Sequence, residues 1–194
     1  MIQAILLAAG NSSRFGSNKL LHPLPDGTPL AGAAARNLQA AVPHVLAIVR
    51  PEDHLLAKLF AAEGVDVLPC PTAVEGMGAS LACGIRATDS AQGWIVALAD
   101  MPFIQTATIA AIRQALEAGA QLAAPVFNGQ RGHPVGFGRH FLPALASLTG
   151  DQGARDIVAA HWANSELIAC HDPGILADID HADDLLRHKE LMGV

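Results

Sequence analysis

The chain begins with a short apolar segment that leads directly into a loop of very small residues. Ile2 to Leu7 is apolar at nearly every position rather than at alternate ones, which is typical of a strand buried on both faces of a sheet. Ala8, Ala9 and Gly10 follow with almost no side chain, so the backbone can approach a bound group closely and direct its N–H groups toward it. This opening predicts a buried strand with a binding loop at its carboxyl end.

Two cationic residues accompany the loop. Arg14 offers a planar fork of donors and Lys19 a mobile point charge, and both suit the oxygens of a polyphosphate. The spacing excludes a Walker P-loop, because five residues separate Gly10 from Gly16 and two more intervene before Lys19. The GxGxxG pattern of dinucleotide-binding loops is also absent from this segment. Strand, loop and cations together predict a nucleotide site of another kind.

The first 19 residues resemble the opening of the molybdenum cofactor cytidylyltransferase-like family, the MobA/MocA-type nucleotidyltransferases, whose motif is LAAGxSxRxGxxK. The resemblance implies that the loop binds the nucleotide and that Arg14 and Lys19 are catalytic. On the residues alone, the glycines could instead form a plain turn with both cations in solvent. Every specified position of the motif is filled, by Leu7, Ala8, Ala9, Gly10, Ser12, Arg14, Gly16 and Lys19.

Composition narrows the possible partners. Hydrophobic residues make up 51% of the chain and charged residues 15%, which favours a compact globular protein over a disordered one. A net charge of −6, few aromatic residues and no Tyr argue against a nucleic-acid surface. No apolar run approaches the length of a membrane span, and three cysteines without a CxxC spacing favour reduced thiols. We therefore expect a cytoplasmic protein without nucleic-acid or membrane partners.

Apolar strand patterns alternate with helical patterns along the rest of the chain. This alternation predicts a mostly parallel sheet with helices on both faces, and Asn128-Gly129 predicts a β-hairpin that forms an antiparallel excursion near one edge. The resemblance implies a Rossmann-like nucleotide-diphospho-sugar transferase fold and one nucleotidyltransferase domain over residues 1–194. The further strands are predicted at 45–49, 65–68, 94–98, 122–127 and 167–170, and the helices at 31–41, 52–63, about 79–87, 108–118, 138–148, 152 or 153 to 163, and 182–191.

An aspartate follows the strand predicted at 94–98. Asp100 stands where that strand ends, in the region where open α/β sheets bind ligands. Pro102 stops the strand and fixes the turn, which holds the Asp100 carboxylate in one direction. Carboxylate oxygen is a preferred ligand of Mg²⁺, although Asp100 could instead cap the next helix. The resemblance favours the first role, because L(A/C)DMP is the metal-binding motif of the family. We therefore predict that Asp100 is catalytic and binds the metal.

A second glycine-containing segment precedes the helix predicted from about residue 79. Gly76 and Gly78 lead into that helix, and Ser80 lies in its first turn, where free N–H groups attract polar or anionic ligands. Such a loop is often just the beginning of a helix. The resemblance implies a nucleotide-facing role, so we assign Gly78 and Ser80 to the nucleotide site.

Three residues in the second half of the chain are further candidates. His133, in a GxxGHPVxF segment, is either a structural histidine or a contact to the acceptor substrate. Asp151 is a natural N-cap for the helix predicted to begin at 152 or 153, while its GDxGAR segment resembles a loop that frames the acceptor pocket. Asp180 resembles the acidic residue of the DIDxxxDL segment near the end of family members. By that resemblance it completes the Mg²⁺ shell with Asp100, and a helix cap is the alternative.

The reaction predicted from these residues is Mg²⁺-dependent nucleotidyl transfer with release of pyrophosphate. The LAAGxS form of the loop resembles the cytidylyltransferase branch, which implies CTP and molybdopterin as substrates and a molybdoenzyme as possible partner. Two alternatives stay open. One is a guanylyltransferase, or a nucleotidyltransferase acting on a sugar phosphate or alcohol phosphate. The other is a non-catalytic carrier or chaperone of the molybdenum cofactor.

Overall fold

A computed structural model of the protein describes residues 1–10 and 18–192. Eight strands of the described part form one mixed sheet. The strands are β1 (Ile2–Leu7), β2 (Val45–Val49), β3 (Asp66–Pro69), β4 (Gly93–Leu98), β5 (Leu122–Phe127), β6 (Gln130–Arg131), β7 (Val135–Gly138) and β8 (Glu166–Ala169). The α-helices are α1 (Leu30–Ala41), α2 (His54–Ala62), α3 (Met77–Ala87), α4 (Thr106–Glu117), α5 (Leu142–Ala146), α6 (Arg155–His161) and α7 (Ala182–Arg187).

The sheet has the strand order β3-β2-β1-β4-β7-β5-β6, and β8 also pairs with β5. β1 pairs in parallel with β2 on one side and with β4 on the other, as an apolar strand without alternation requires. Successive side chains of β1 point to opposite faces. Ala4 and Leu6 pack with α1, α2 and α4, whereas Ile5 and Leu7 pack with α3, α5 and α6. The predicted α/β class with helices on both faces is confirmed.

The hairpin at Asn128-Gly129 is present, but the antiparallel excursion is not confined to an edge. β5 and β6 pair antiparallel around Asn128 (φ 50°) and Gly129 (φ 77°), as in a type I′ turn. The chain then returns as β7, which lies inside the sheet between β4 and β5 and pairs antiparallel with both. All four residues of Val135–Gly138 are buried, so this segment gains more from a central place than from a solvent-exposed edge.

The helix boundaries differ from prediction around the site. Helix α3 begins at Met77 rather than near Ala79, because Gly76 (φ 129°) makes a turn that few other residues can adopt. Helix α6 begins at Arg155, and its N-cap residue is Ala154. The N-cap role predicted for Asp151 on this helix is therefore wrong. The helix predicted over 182–191 ends at Arg187, and a 3₁₀ turn follows over Lys189–Met192.

Candidate active site

The carboxyl ends of β1 and β4 bring two predicted site segments together. Leu7 and Leu98 are partners in the parallel register, and the Ala99 N–H donates to the Leu7 carbonyl at 3.1 Å. The loop of small residues after β1 and the segment that carries Asp100 therefore leave the sheet side by side. This is the edge at which parallel sheets bind their ligands.

A single ammonium group joins three of the predicted site residues. Lys19 Nζ donates to Asp100 Oδ2 at 2.8 Å and to Asp180 Oδ1 at 2.7 Å. The Lys19 side chain is 13% exposed and the Asp100 side chain 23%. Burial alone would lower the pKa of Lys19, but the charge of Asp100 and the hydrogen bonds to Asp100 and Asp180 outweigh it, so the net effect raises that pKa. Lys19 is therefore held in its charged form in the free protein.

Backbone contacts fix the three members of this cluster. Lys19 begins a short 3₁₀ turn whose cap is Asn18, and the Asn18 side chain accepts from the Leu20 N–H at 3.2 Å. The Ile179 N–H donates to the Asp100 carbonyl at 3.0 Å, which places the neighbouring Asp180 beside the end of β4. Residues that are 161 positions apart in the chain thus meet at one point.

The N-terminus of α7 secures Asp180 from the other side. The N-cap residue of α7 is His181, and Asp184 forms a capping box with it. Asp184 Oδ2 also accepts from the Asp180 N–H at 3.0 Å. The alternative role of Asp180 is to cap this helix, but His181 holds the N-cap position. One oxygen of the Asp180 carboxylate faces Lys19 instead.

The cluster suits a divalent cation. Asp100 Oδ2 and Asp180 Oδ1 converge on one nitrogen that carries a positive charge. Carboxylate oxygens are the ligands preferred by Mg²⁺ and Mn²⁺. Among the described residues, no three His, Cys, Asp or Glu side chains group around a common point. A cation at these two aspartates would therefore take its remaining ligands from water or from phosphate oxygens of a substrate.

A cleft of about 710 Å³ opens beside the cluster. Of the residues predicted for the site, Leu7, Ala8, Ala9, Gly10, Lys19, Ser80, Asp100, Asp151 and Asp180 line it. Ser12, Arg14 and Gly16 lie outside the described residues, so the structure says nothing of their predicted roles. Gly78 and His133 are absent from the lining. The structure therefore brings most of the described residues that the sequence predicts for the site to one cavity.

The first turn of α3 differs from the anion site expected there. The Met77 N–H donates to Asp151 Oδ1 at 3.2 Å, and the N–H groups of Gly78 and Ala79 donate to the Gly150 carbonyl at 2.8 and 3.2 Å. These donors are already satisfied and are not free for a ligand. Asp151 thus caps α3, a helix distant in sequence, rather than the helix that follows it.

Ser80 and Gly78 have clear structural roles in the same turn. The Ser80 hydroxyl donates to the Gly76 carbonyl at 3.1 Å, and its side chain is buried while still lining the cleft. A Cβ on Gly78 would come within 2.8 Å of the Thr149 carbonyl oxygen. Gly78 is therefore required for close packing against the loop at 149–151, whatever it contributes to a nucleotide.

His133 is not among the residues that line the cleft. Its Nδ1 is buried, and no residue of the described part forms a hydrogen bond with that atom. Burial lowers the pKa of His133, the charge of Arg131 adds to this effect, and the charges of Asp100 and Asp178 oppose it. The neutral imidazole is therefore favoured. Its assignment to the acceptor substrate stays a prediction.

Arg50 is a cleft residue that the sequence reasoning missed. It follows β2, and its Nε donates to the Ala9 carbonyl at 3.0 Å, so it supports the loop of small residues. Its position directly after a buried parallel strand was the available signal, because side chains at the carboxyl ends of such strands share one edge of the sheet.

Within the described ranges, none of the helices combines the length and apolar character that a bilayer span requires.

The chain is similar to curated bacterial proteins along nearly its whole length. It is 28% identical to the purine catabolism protein PucB of Bacillus subtilis, over 93% of this chain and 92% of that protein. It is 32% identical to a molybdenum cofactor guanylyltransferase of Cupriavidus taiwanensis, over 97% and 96%. Identity to the molybdenum cofactor cytidylyltransferase of Escherichia coli is 24%, over the same shares.

Solved structures have the same fold. A nucleotidyl transferase from Methanothermobacter thermautotroptrophicus superposes with a TM-score of 0.84 at 22% identity, covering 100% of this chain and 98% of that one. Rv0371C of Mycobacterium tuberculosis, solved as a complex with manganese, superposes with a TM-score of 0.73 at 24% identity, covering 97% and 98%. A sequence profile described as the MobA-like NTP transferase domain matches residues 4–166. The chain therefore belongs to the family of MobA-like NTP transferase domains, and it is a nucleotidyltransferase.

Proposed function

We propose that the protein transfers CMP from CTP to molybdopterin in a Mg²⁺-dependent reaction that releases pyrophosphate. The observation that carries this proposal is that Lys19, Asp100 and Asp180 contact one another on the cleft that the loop of small residues also lines. Two carboxylates that converge on a cation, beside a loop that admits a close backbone approach, suit a metal-bound triphosphate. A cleft of about 710 Å³ has room for a nucleotide and part of an acceptor.

The chemistry asks little covalent work of the chain. A phosphate oxygen of the acceptor forms a bond to the α-phosphorus of the triphosphate, the bond to the β-phosphate oxygen breaks, and pyrophosphate leaves with the bonding electrons. The acceptor phosphate is already ionised near neutral pH, so no general base is needed. Positioning and charge neutralisation then supply most of the rate.

Each site residue has a task in this proposal. Asp100 and Asp180 would hold Mg²⁺, which when bound neutralises negative charge on phosphate oxygens. Lys19 and Arg14 would stabilise the departing pyrophosphate. The N–H groups of the loop after β1 would orient the triphosphate, and Arg50 would keep that loop in place through its bond to Ala9.

GTP is the second candidate for the nucleotide substrate. The LAAGxS form of the loop resembles that of the cytidylyltransferase branch, which favours CTP. The higher identity to a guanylyltransferase, 32% against 24% for the cytidylyltransferase, favours GTP. We retain CTP because the loop motif lies at the site itself, whereas overall identity averages over the whole chain.

A nucleotidyltransferase of another phosphorylated acceptor would use the same residues, whereas a non-catalytic carrier has no evident need for a charged cluster at the cleft. We propose that the protein acts in the cytoplasm as one domain over residues 1–194 and passes its product to a molybdoenzyme. The three cysteines that the structure shows as free thiols support the reducing compartment.

A pyrophosphate-release assay tests the function. Purified protein is offered CTP, GTP, ATP or UTP with Mg²⁺, each with molybdopterin, a sugar phosphate or an alcohol phosphate. The proposal expects release only with molybdopterin and fastest with CTP. Preference for GTP would replace the nucleotide assignment, preference for another acceptor would replace molybdopterin, and no release with any pair would favour the carrier.

A further inference from the structure

The ammonium of Lys19 occupies the place that a divalent cation would take. Its Nζ lies 2.8 Å from Asp100 Oδ2 and 2.7 Å from Asp180 Oδ1. Both oxygens are thus engaged by one positive charge in the free protein. A metal ion that used the same two oxygens could not bind while the ammonium stayed there, since the two cations would overlap and repel each other.

The backbone contacts show which member of the cluster can move. The Asp100 carbonyl is bonded to the Ile179 N–H, and the Asp180 N–H is bonded to Asp184. The two carboxylates are therefore anchored through short side chains. Lys19 is likewise anchored through its backbone, where its carbonyl accepts from the His22 N–H at 3.0 Å, but its side chain is longer than that of either aspartate. Its four-carbon stem can carry the ammonium away without a change in the fold.

The cleft offers the displaced ammonium a destination. Lys19 lines the same cavity as Ala8, Ala9 and Gly10, where the proposed function places the triphosphate. A flexible lysine that leaves two carboxylates can therefore reach phosphate oxygens in that cavity. Without a triphosphate, the released charge would remain next to the metal and oppose its binding.

From this geometry we propose that Lys19 is the internal counter-ion of Asp100 and Asp180, and that a divalent cation binds by displacing it toward the triphosphate. The inference rests on the proposed function for the identity of the phosphate ligand. This exchange couples the binding of the two ligands. The metal alone binds weakly, whereas metal and triphosphate bind strongly together, because the triphosphate accepts the ammonium that the metal displaces.

Mn²⁺ binding in the absence of nucleotide tests the exchange. The free Mn²⁺ signal is followed by electron paramagnetic resonance for the wild type, Lys19→Met and the control Lys58→Met, which removes the same charge from an exposed position on α2. We expect Lys19→Met to bind Mn²⁺ about tenfold more tightly than the wild type, within the range in which neighbouring groups change metal affinity. Lys58→Met should match the wild type. Unchanged or weaker binding by Lys19→Met overturns the proposal.

The coupling is measured by repeating the titration with a non-hydrolysable CTP analogue. The wild type should bind Mn²⁺ more tightly when the analogue is present, and Lys19→Met should lose most of that gain. An equal gain in both proteins counts against the exchange. Because no turnover is measured, an inactive protein that shows the Lys19 effect would reject the proposed reaction while leaving the exchange intact.

A measurement on the wild type covers the case in which Lys19→Met does not fold. Pulse acetylation followed by mass spectrometry compares the labelling of Lys19 with that of Lys58. Saturating Mg²⁺ should increase the relative labelling of Lys19, since its ammonium leaves both carboxylates. Labelling that stays constant or falls with Mg²⁺ overturns the proposal.

Discussion

At the scale of single residues, the site is defined by three charges that the sequence places far apart. Asp100 is predicted from its position after a strand and from the resemblance to the family's metal-binding motif, and Lys19 from its charge beside the first loop and from the resemblance of that loop to the family motif. Asp180 rested on resemblance alone, because nothing in the residues around it shows that the chain returns to the end of β4. The hydrogen bond from the Ile179 N–H to the Asp100 carbonyl makes that return, and only the three-dimensional structure reveals it.

Asp100→Asn tests the charge requirement at the cluster. The amide keeps the size of the side chain but gives Lys19 and a metal a much weaker partner, so we expect about a hundredfold loss in turnover with little change in fold. Pyrophosphate release at limiting Mg²⁺ is the readout. Asp66→Asn, on the exposed start of β3, is the matched control and should be fully active. Near-normal turnover of the Asp100 variant would remove the metal assignment.

Gly10→Ala separates ligand approach from folding. A Cβ at Gly10 meets no atom of the described residues within 4 Å, and its φ does not require glycine. Stability should therefore stay within about 0.5 kcal/mol of the wild type. The added methyl would nonetheless stand in the cleft where the backbone must approach the triphosphate, so the KM for the triphosphate should rise. An unchanged KM would mean that the nucleotide does not contact this part of the loop.

At the scale of secondary-structure elements, the sequence predicted which segments are strands and helices more reliably than where they end. Apolar runs without alternation identified β1, β2 and β4, because burial on both faces leaves a strong signature. Boundaries near the site failed for a physical reason. The start of α3 is fixed by the loop at Gly150 and Asp151, which is more than 70 residues away, and local capping rules do not anticipate a distant partner.

Asp151→Ala tests that long-range cap. Loss of the acceptor for the Met77 N–H should reduce the free energy of unfolding by about 1 kcal/mol, the usual cost of removing a capping side chain. Urea denaturation followed by circular dichroism gives the value. Asp151→Asn keeps a carbonyl oxygen at the same position and should retain most of the stability. If both variants are as stable as the wild type, the carboxylate is not a structural cap, and acceptor binding becomes its main role.

At the scale of the whole molecule, the antiparallel strand β7 is the main departure from a simple alternation of strands and helices. The sequence indicated a hairpin at Asn128-Gly129 but not that the returning limb enters the sheet beside β4. The place of β7 in the sheet depends on a glycine: a Cβ on Gly136 would come within 2.7 Å of Ile112 on α4. Such close packing depends on tertiary contacts, which periodicity does not encode.

The pH dependence of stability reports on the interior next to the site. Burial and Arg131 depress the pKa of His133, while Asp100 and Asp178 oppose them. Below the ordinary histidine value of 6.5, the unfolded chain takes up a proton that the folded protein resists. The free energy of unfolding should therefore fall as the pH drops from that value through the lower folded pKa.

Urea denaturation between neutral pH and about pH 5 measures this slope. His133→Asn should flatten it, because the neutral amide does not titrate. Identical slopes for the wild type and His133→Asn would show that His133 is protonated as easily in the folded protein as in the unfolded chain.

We infer that Asp100 and Asp180 hold one metal ion against a triphosphate that Lys19 also contacts. A crystal structure with Mn²⁺ and a non-hydrolysable CTP analogue, recorded with anomalous diffraction, tests it most directly. We predict an anomalous peak coordinated by both aspartates and by phosphate oxygens, with the Lys19 ammonium moved onto the phosphates. A peak away from these aspartates, or Lys19 still bridging them beside a bound triphosphate, would contradict the account.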